Sequence, residues 1–212
     1  MSKALPPSVV FVVDDDHAFR DSLALMLRLK GFVTDTSASG EEFLAKYKPG
    51  TIGCLLVDMQ MGGMSGLDLQ KALAERGSTL PVIVITAYGD VATARAALKA
   101  GAVDFLEKPL DEQALERIVA AAVEKSVSAE AQARETADVA ARFERLTDRE
   151  RQVFDLIVAG RHNREIAATL GISPRTVEVY KSKIMEKMRV TRLPELIRLA
   201  VAIPALGKPA SS

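Results

Sequence analysis

Five short apolar runs, each followed by a polar or turn-forming residue and then by a helix-length amphipathic stretch, constrain this chain more than any other feature. Val9 to Val13, Cys54 to Val57 and Val82 to Ile85 are apolar without alternation, the pattern of strands buried on both faces of a parallel sheet. Phe32 to Thr36 alternates and reads as an edge strand, and Val103 to Glu107 reads as the fifth strand. Residues 17–30, 40–48, 66–76, 90–100 and 111 onward carry helical periodicity, several closed by Gly31, Gly77 or Gly101. Strand and helix in alternation predict an α/β domain, a flavodoxin-like doubly wound five-stranded parallel sheet of order 2-1-3-4-5. In that order the chain switches direction between strands 1 and 3, and ligands bind outside the carboxyl ends there.

The residues at those carboxyl ends have a chemistry in common. Asp14 and Asp15 follow the first strand, Asp58 the third, Thr86 the fourth and Lys108 the fifth. Any one acid after a strand is ordinarily a turn former or helix cap; an acid pair, a lone acid, a hydroxyl and an ammonium at one edge of one sheet describe a phosphate-accepting carboxylate. Three converging carboxylates repel one another unless a cation compensates them. With two histidines and one cysteine in the chain, that cation is held by oxygen, and Mg2+ is the natural choice. Asp15 and Asp58 are the expected direct ligands, the Gln60 backbone carbonyl a third, and Asp14 acts through water. Asp58 then accepts the phosphoryl group, Lys108 pairs with one phosphoryl oxygen and Thr86 donates to another. Asp16 and His17 read as helix-start residues, and Cys54 as a core residue.

Composition narrows the setting. The lone Cys54 permits no internal disulfide, which fits a reducing cytoplasm. Met1 to Ser8 lacks the features of a signal peptide, and no run approaches the roughly 20 apolar residues of a membrane span. The totals of 28 basic and 28 acidic residues conceal an asymmetry: residues 146–212 hold 12 Lys+Arg against 7 Asp+Glu, leaving 16 against 21 for the rest. An acidic front and a basic back predict two domains, the second facing an anionic partner.

Residues 126–143 are rich in Ala, Glu and Arg without Gly or Pro, and read as a helical linker between a domain at 8–125 and another at 144–203. The second is an all-α four-helix helix-turn-helix domain. Thr147 with Glu150 forms a capping box, Gly160 ends that helix, Asn163 caps the next, Gly171 stops it, and Ser173 caps a third with Pro174 in its first turn. A fourth runs from about Leu193 to Val201, and 204–212 reads as a disordered tail. Ile166, Leu170, Val177 and Ile184 form the apolar face. Opposite them Arg175, Thr176, Glu178, Val179, Lys181, Ser182 and Lys183 mix cations, hydrogen-bonding groups and a small apolar residue, suited to double-stranded DNA. Glu178, Val179 and Ser182 are the expected base contacts, and Arg175, Thr176, Lys181 and Lys183 the phosphate contacts.

The front half resembles the receiver domain of bacterial two-component response regulators. The resemblance rests on Val12-Val13-Asp14-Asp15, Asp58 through Gly66, Ile85-Thr86-Ala87 and Gly101 through Pro109. The back half, through Leu146 to Val153, Asn163 to Ala167 and Ser173 to Glu178, resembles the LuxR-type helix-turn-helix. Together they are similar to the FixJ/NarL group, in its FixJ-like branch. The resemblance implies a sensor histidine kinase as phosphodonor, a cis Lys108–Pro109 bond, Thr86 and Phe105 as a switch pair, and Gln60 and Tyr88 beside the attacking water. It also implies a homodimer on phosphorylation, through a face that includes Val91, Arg95 and Lys99, with RNA polymerase as a further partner. One departure is Gly62-Gly63, where the family usually has proline after Met61; this predicts a more mobile loop beside Asp58.

The expected function is a transcriptional regulator, not an enzyme, that is phosphorylated on Asp58, dimerises and binds promoter DNA. A competing reading keeps the DNA-binding domain but makes the receiver a phosphorylation-independent dimerisation module. A phosphohydrolase would need a general acid close after Asp58 and a cap domain, and Gln60 and the short connections supply neither.

Overall fold

The computed structural model describes residues 8–87 and 91–202. They form two compact units that divide between Ala131 and Gln132. In the first, β1 (Val9–Val13), β2 (Val33–Ser37), β3 (Gly53–Asp58), β4 (Val82–Thr86) and β5 (Asp104–Glu107) make one sheet in the order β2-β1-β3-β4-β5. All four pairings are parallel, the topology the apolar runs predict.

Alternation along the buried strands builds two cores, one on each face. Phe11, Val13, Leu55, Val57, Val82 and Val84 point to one side, where they pack against Phe43 of α2 (Gly40–Lys46), Leu69 and Leu73 of α3 (Gly66–Glu75) and Ala97 of α4 (Val91–Lys99). Val10, Val12, Cys54, Leu56, Ile83 and Ile85 point to the other, against Leu23 and Leu27 of α1 (His17–Leu29) and Leu115, Val119 and Ala122 of α5 (Glu112–Glu144). Cys54 is fully buried, and burial pushes its thiol up to about 12, so it is an inert part of this second core.

The segment expected as a linker is divided between the two units. Ser126 is buried in the first, where its hydroxyl accepts the Gly53 N–H at 3.0 Å, and Val139 and Phe143 belong to the core of the second. A run of good helix formers looks like a spacer until its few apolar residues find partners.

The second unit packs α6 (Asp148–Val158), α7 (Asn163–Leu170), α8 (Pro174–Met188) and α9 (Leu193–Ala202) around Val153, Phe154, Ile166, Val177, Ile184, Met188 and Leu196. The capping box forms as read: Thr147 Oγ1 accepts the Glu150 N–H, and Glu150 Oε2 accepts the Thr147 N–H at 2.8 Å. Glu150 does more than cap, since the same oxygen accepts from Lys187 Nζ at 2.6 Å. Ser173 caps α8 and Gly171 ends α7 in the left-handed conformation, with φ 65°. The expectation for Asn163 is corrected. The cap of α7 is His162, one residue earlier, whose N–H is held by Glu165 Oε2 at 2.7 Å; the Asn163 amide is engaged elsewhere, with α8.

Candidate functional site

Strand register brings the polar residues together. Val13 is paired with Val57, Asp58 with Ile85, and Thr86 with Glu107, so the residues that end or follow β1, β3, β4 and β5 share one edge of the sheet. Asp14, Asp58 and Thr86 are all buried there. Lys108 reaches across to both acids, its Nζ lying 2.7 Å from Asp58 Oδ1 and 2.9 Å from Asp14 Oδ2. The Lys108–Pro109 peptide is cis.

The electrostatics follow from this crowding. Burial pushes the Asp14 carboxyl above the usual carboxylate range, against the pull of Lys108 and of the Asp16 N–H that it accepts at 2.8 Å. Burial works to lower the Lys108 ammonium, but the hydrogen bonds and charges of Asp14 and Asp58 outweigh it and hold the group above its ordinary value. One ammonium thus stands between two acids that water cannot adequately solvate. The Phe19 ring lies beneath it, 3.8 Å from Nζ to the ring centroid, a cation–π contact that uses the remaining face of the charge.

Asp15 is turned differently. It is exposed, and its Oδ2 accepts the Gly62 N–H at 2.8 Å. Asp58 Oδ2 accepts the Gln60 N–H at 2.7 Å, and Glu41 Oε1 accepts the Met64 N–H at 3.2 Å. Backbone donors thus tie the Gly62-Gly63 loop to carboxylates at three points. Gly62 is what permits the middle tie, because a proline there has no N–H. Gly63 supplies a φ of 97°. Gly66 lets the start of α3 approach the strand end, since a Cβ there would lie 2.6 Å from the Asp58 carbonyl oxygen.

Among the described residues no three His, Cys, Asp or Glu side chains surround a common point as a ready-made cation cage. The donor set nonetheless fits a hard divalent ion: two buried acids and one exposed acid, all oxygen, at the open end of the sheet. Lys108 occupies the compensating role between two of them in this arrangement.

Some participants escape a sequence reading. Arg20 is buried and its Nη1 donates to the Asp14 carbonyl oxygen at 2.6 Å. Its signal is positional, for it lies in the same stripe as Leu23, Ala24 and Leu27, where a cation is out of place unless it has a partner. Phe19 carries no comparable signal. Asp16 caps α1 as read, its Oδ1 accepting from Ala18 and Phe19. Phe105 is half-buried against the first core. Arg95 and Lys99 are exposed on α4, whereas the Val91 side chain and all of Tyr88 lie outside the described residues, as does the 204–212 tail.

In the second unit α8 buries Val177, Ile184 and Met188 and turns Arg175, Glu178, Val179, Ser182 and Lys183 to solvent, with Thr176 and Lys181 half-buried. Val179, half exposed at 50%, is an apolar side chain presented among polar ones.

Comparison with known proteins gives both units relatives. Residues 10–120 match the response regulator receiver domain, and residues 144–200 match the bacterial regulatory proteins of the luxR family. The chain is a response regulator of the FixJ/NarL family. It is 44% identical to the transcriptional regulatory protein FixJ of Azorhizobium caulinodans over 201 residues, covering 95% of this chain and 94% of that one. FixJ of Rhizobium meliloti is likewise 44% identical, over 193 residues, with 91% and 95% covered. Among solved structures, the response regulator StyR superposes with a TM-score of 0.83 at 40% identity, covering 93% of this chain and all 100% of that one. Response regulators of this type are transcription factors, not enzymes, and their receiver domains in general bind Mg2+ at the acidic site. The receiver implies a sensor kinase partner and the luxR-type domain implies DNA. No helix among the described residues of this response regulator is long and apolar enough to cross a membrane.

Proposed function

We propose that a sensor histidine kinase transfers its phosphoryl group to Asp58, that the phosphorylated chain forms homodimers, and that paired α8 helices bind promoter DNA. The observation that carries this reading is the Lys108 ammonium 2.7 Å from Asp58 Oδ1. A cation held there by two acids is placed to pair with an oxygen of a phosphoryl group arriving on Asp58. Asp58 is the nucleophile and its carboxylate oxygen forms the new bond to phosphorus as the bond to the phosphohistidine nitrogen breaks. Thr86 donates its hydroxyl to a second phosphoryl oxygen. Mg2+, held by Asp15, Asp58 and the Gln60 carbonyl with Asp14 behind water, would supply the positive charge that offsets repulsion between carboxylates and phosphate. Phosphate on Asp58 draws Lys108 from Asp14, and Thr86 with Phe105 forms the two-state element that the new charge biases.

The groove beside Lys108, about 520 Å3, is lined by Phe19, Leu23, Met26, Pro109 and Leu110. Val91, Arg95 and Lys99 on α4 contribute to the dimer face, and RNA polymerase is a further partner of the DNA-bound dimer. On DNA, Glu178, Val179 and Ser182 read bases while Arg175, Thr176, Lys181 and Lys183 contact phosphates.

The test is size-exclusion chromatography with light scattering and DNA binding, both before and after acetyl phosphate with Mg2+. Dimerisation and tighter DNA binding that depend on acetyl phosphate are expected, and both are lost in Asp58→Asn. A dimer that forms without phosphorylation and binds DNA equally in Asp58→Asn contradicts the proposal.

A further inference from the structure

Glu178 and Lys181 sit three residues apart on the same face of α8, a spacing at which opposite charges ordinarily attract one another directly. Among the described residues no direct ion pair joins them. Each reaches instead to Asn163, the first residue of the neighbouring helix: Asn163 Nδ2 donates to Glu178 Oε1 at 3.3 Å, and Asn163 Oδ1 accepts from Lys181 Nζ at 3.2 Å. One orientation of the amide satisfies both neighbours, since a carboxylate accepts and an ammonium donates. The amide is therefore locked, and it locks two long side chains that otherwise sample many rotamers. Asn163 is half-buried, whereas Glu178 is exposed on α8.

We propose that Asn163 is a positioning residue for sequence reading. From the first helix of the helix-turn-helix it holds the Glu178 carboxylate apart from the Lys181 ammonium, so that Glu178 meets its base edge and Lys181 its phosphate. This rests on the assignment of Glu178 as a base contact. Without Asn163 the two charges collapse on each other, and the carboxylate loses both its direction and its freedom to accept from a base.

Full-length protein treated with acetyl phosphate and Mg2+ is used to enrich duplexes from a randomised library, and affinities are then measured for the enriched duplex and for its single-base-pair variants. Glu178→Ala should lower discrimination at one base pair by about tenfold. Asn163→Ala should lower discrimination at the same base pair by a similar factor and, because Lys181 then no longer reaches its phosphate, reduce the salt slope by up to about 1. Asn163→Asp, which keeps the side-chain size but faces Glu178 with a like charge, should act in the same direction. In Glu178→Ala, adding Asn163→Ala should lower discrimination at that base pair no further, the signature of a residue acting through another. An unchanged preference in Asn163→Ala, or effects that add in the double variant, overturns the positioning role. An unchanged preference in Glu178→Ala, or the absence of any enriched duplex, overturns the base-contact assignment first and the positioning role with it.

Discussion

Lys108 Nζ lies 2.7 Å from Asp58 Oδ1 and 2.9 Å from Asp14 Oδ2, so a lysine that follows β5 joins the acid that ends β3 to the acid that follows β1. The residue expected to receive the phosphate is already paired with the residue expected to hold it.

Removing that ammonium leaves two buried acids facing each other. Lys108→Ala is expected to destabilise the receiver unit by roughly 2–3 kcal/mol without added cation, less than for a fully enclosed pair because the lysine is partly exposed. Mg2+ should then stabilise the variant more than the parent, as Lys108 no longer compensates the acids. Urea unfolding with and without magnesium chloride measures both effects, and equal magnesium responses would sink the electrostatic account.

The glycines around Asp58 should separate by mechanism. Gly62→Ala keeps the N–H that Asp15 accepts, and its Cβ would lie 3.7 Å from Asp15 Oδ2, so stability should change by less than about 1 kcal/mol. Gly62→Pro removes the donor and should weaken Mg2+ binding, measured by calorimetry, because Asp15 loses its anchor. Gly63→Ala should cost about 1–2 kcal/mol for its φ of 97°. Gly66→Ala forces the Asp58 backbone aside and should slow phosphorylation by acetyl phosphate.

Much of this arrangement was legible from pattern alone. Unalternating runs mark β1, β3 and β4 as central strands, and the polar residue after each run gives Asp14, Asp58, Thr86 and Lys108 their common edge. Periodicity reports where the chain turns, but it does not report which groups pair across a separation of 94 residues, as Lys108 and Asp14 do. The same limit hid the Asn163 contacts with α8: asparagine before a helix is read as a cap because that is its commonest local role, and the competing partners lie 15 and 18 residues away. The ties of the Gly62-Gly63 loop are hidden for a related reason. Glycine signals backbone freedom, and the donors that use that freedom to bind Asp15 and Glu41 are visible once the loop is folded.

In the second unit, Glu150 should confer a pH dependence of its own. Burial raises its carboxyl, but Lys187 and the Thr147 N–H outweigh burial and hold it below the usual range. A depressed folded value means that the stabilisation is present above the unfolded value of about 4.3 and is lost as pH falls through the lower folded value. Unfolding of Glu150→Gln, followed by circular dichroism, should therefore show a smaller loss of stability than the parent does as pH falls below about 4.3. Equal acid sensitivity in the two proteins would contradict this.

Phosphate contacts on α8 should behave as charges and not as readers. Lys183→Ala and Arg175→Ala are each expected to weaken binding to all duplexes alike and to reduce the salt slope by about 1. Titrations at two salt concentrations show this directly, and a change confined to one sequence would reassign the residue to base reading.

The central claim is that Asp58 accepts phosphate, and intact-mass spectrometry after incubation with acetyl phosphate and Mg2+ tests it most directly. The parent chain should gain one phosphoryl group, lost on treatment with hydroxylamine as an acyl phosphate is, and Asp58→Asn should gain none. A parent that stays unmodified, or Asp58→Asn labelled to the same extent, would contradict the account.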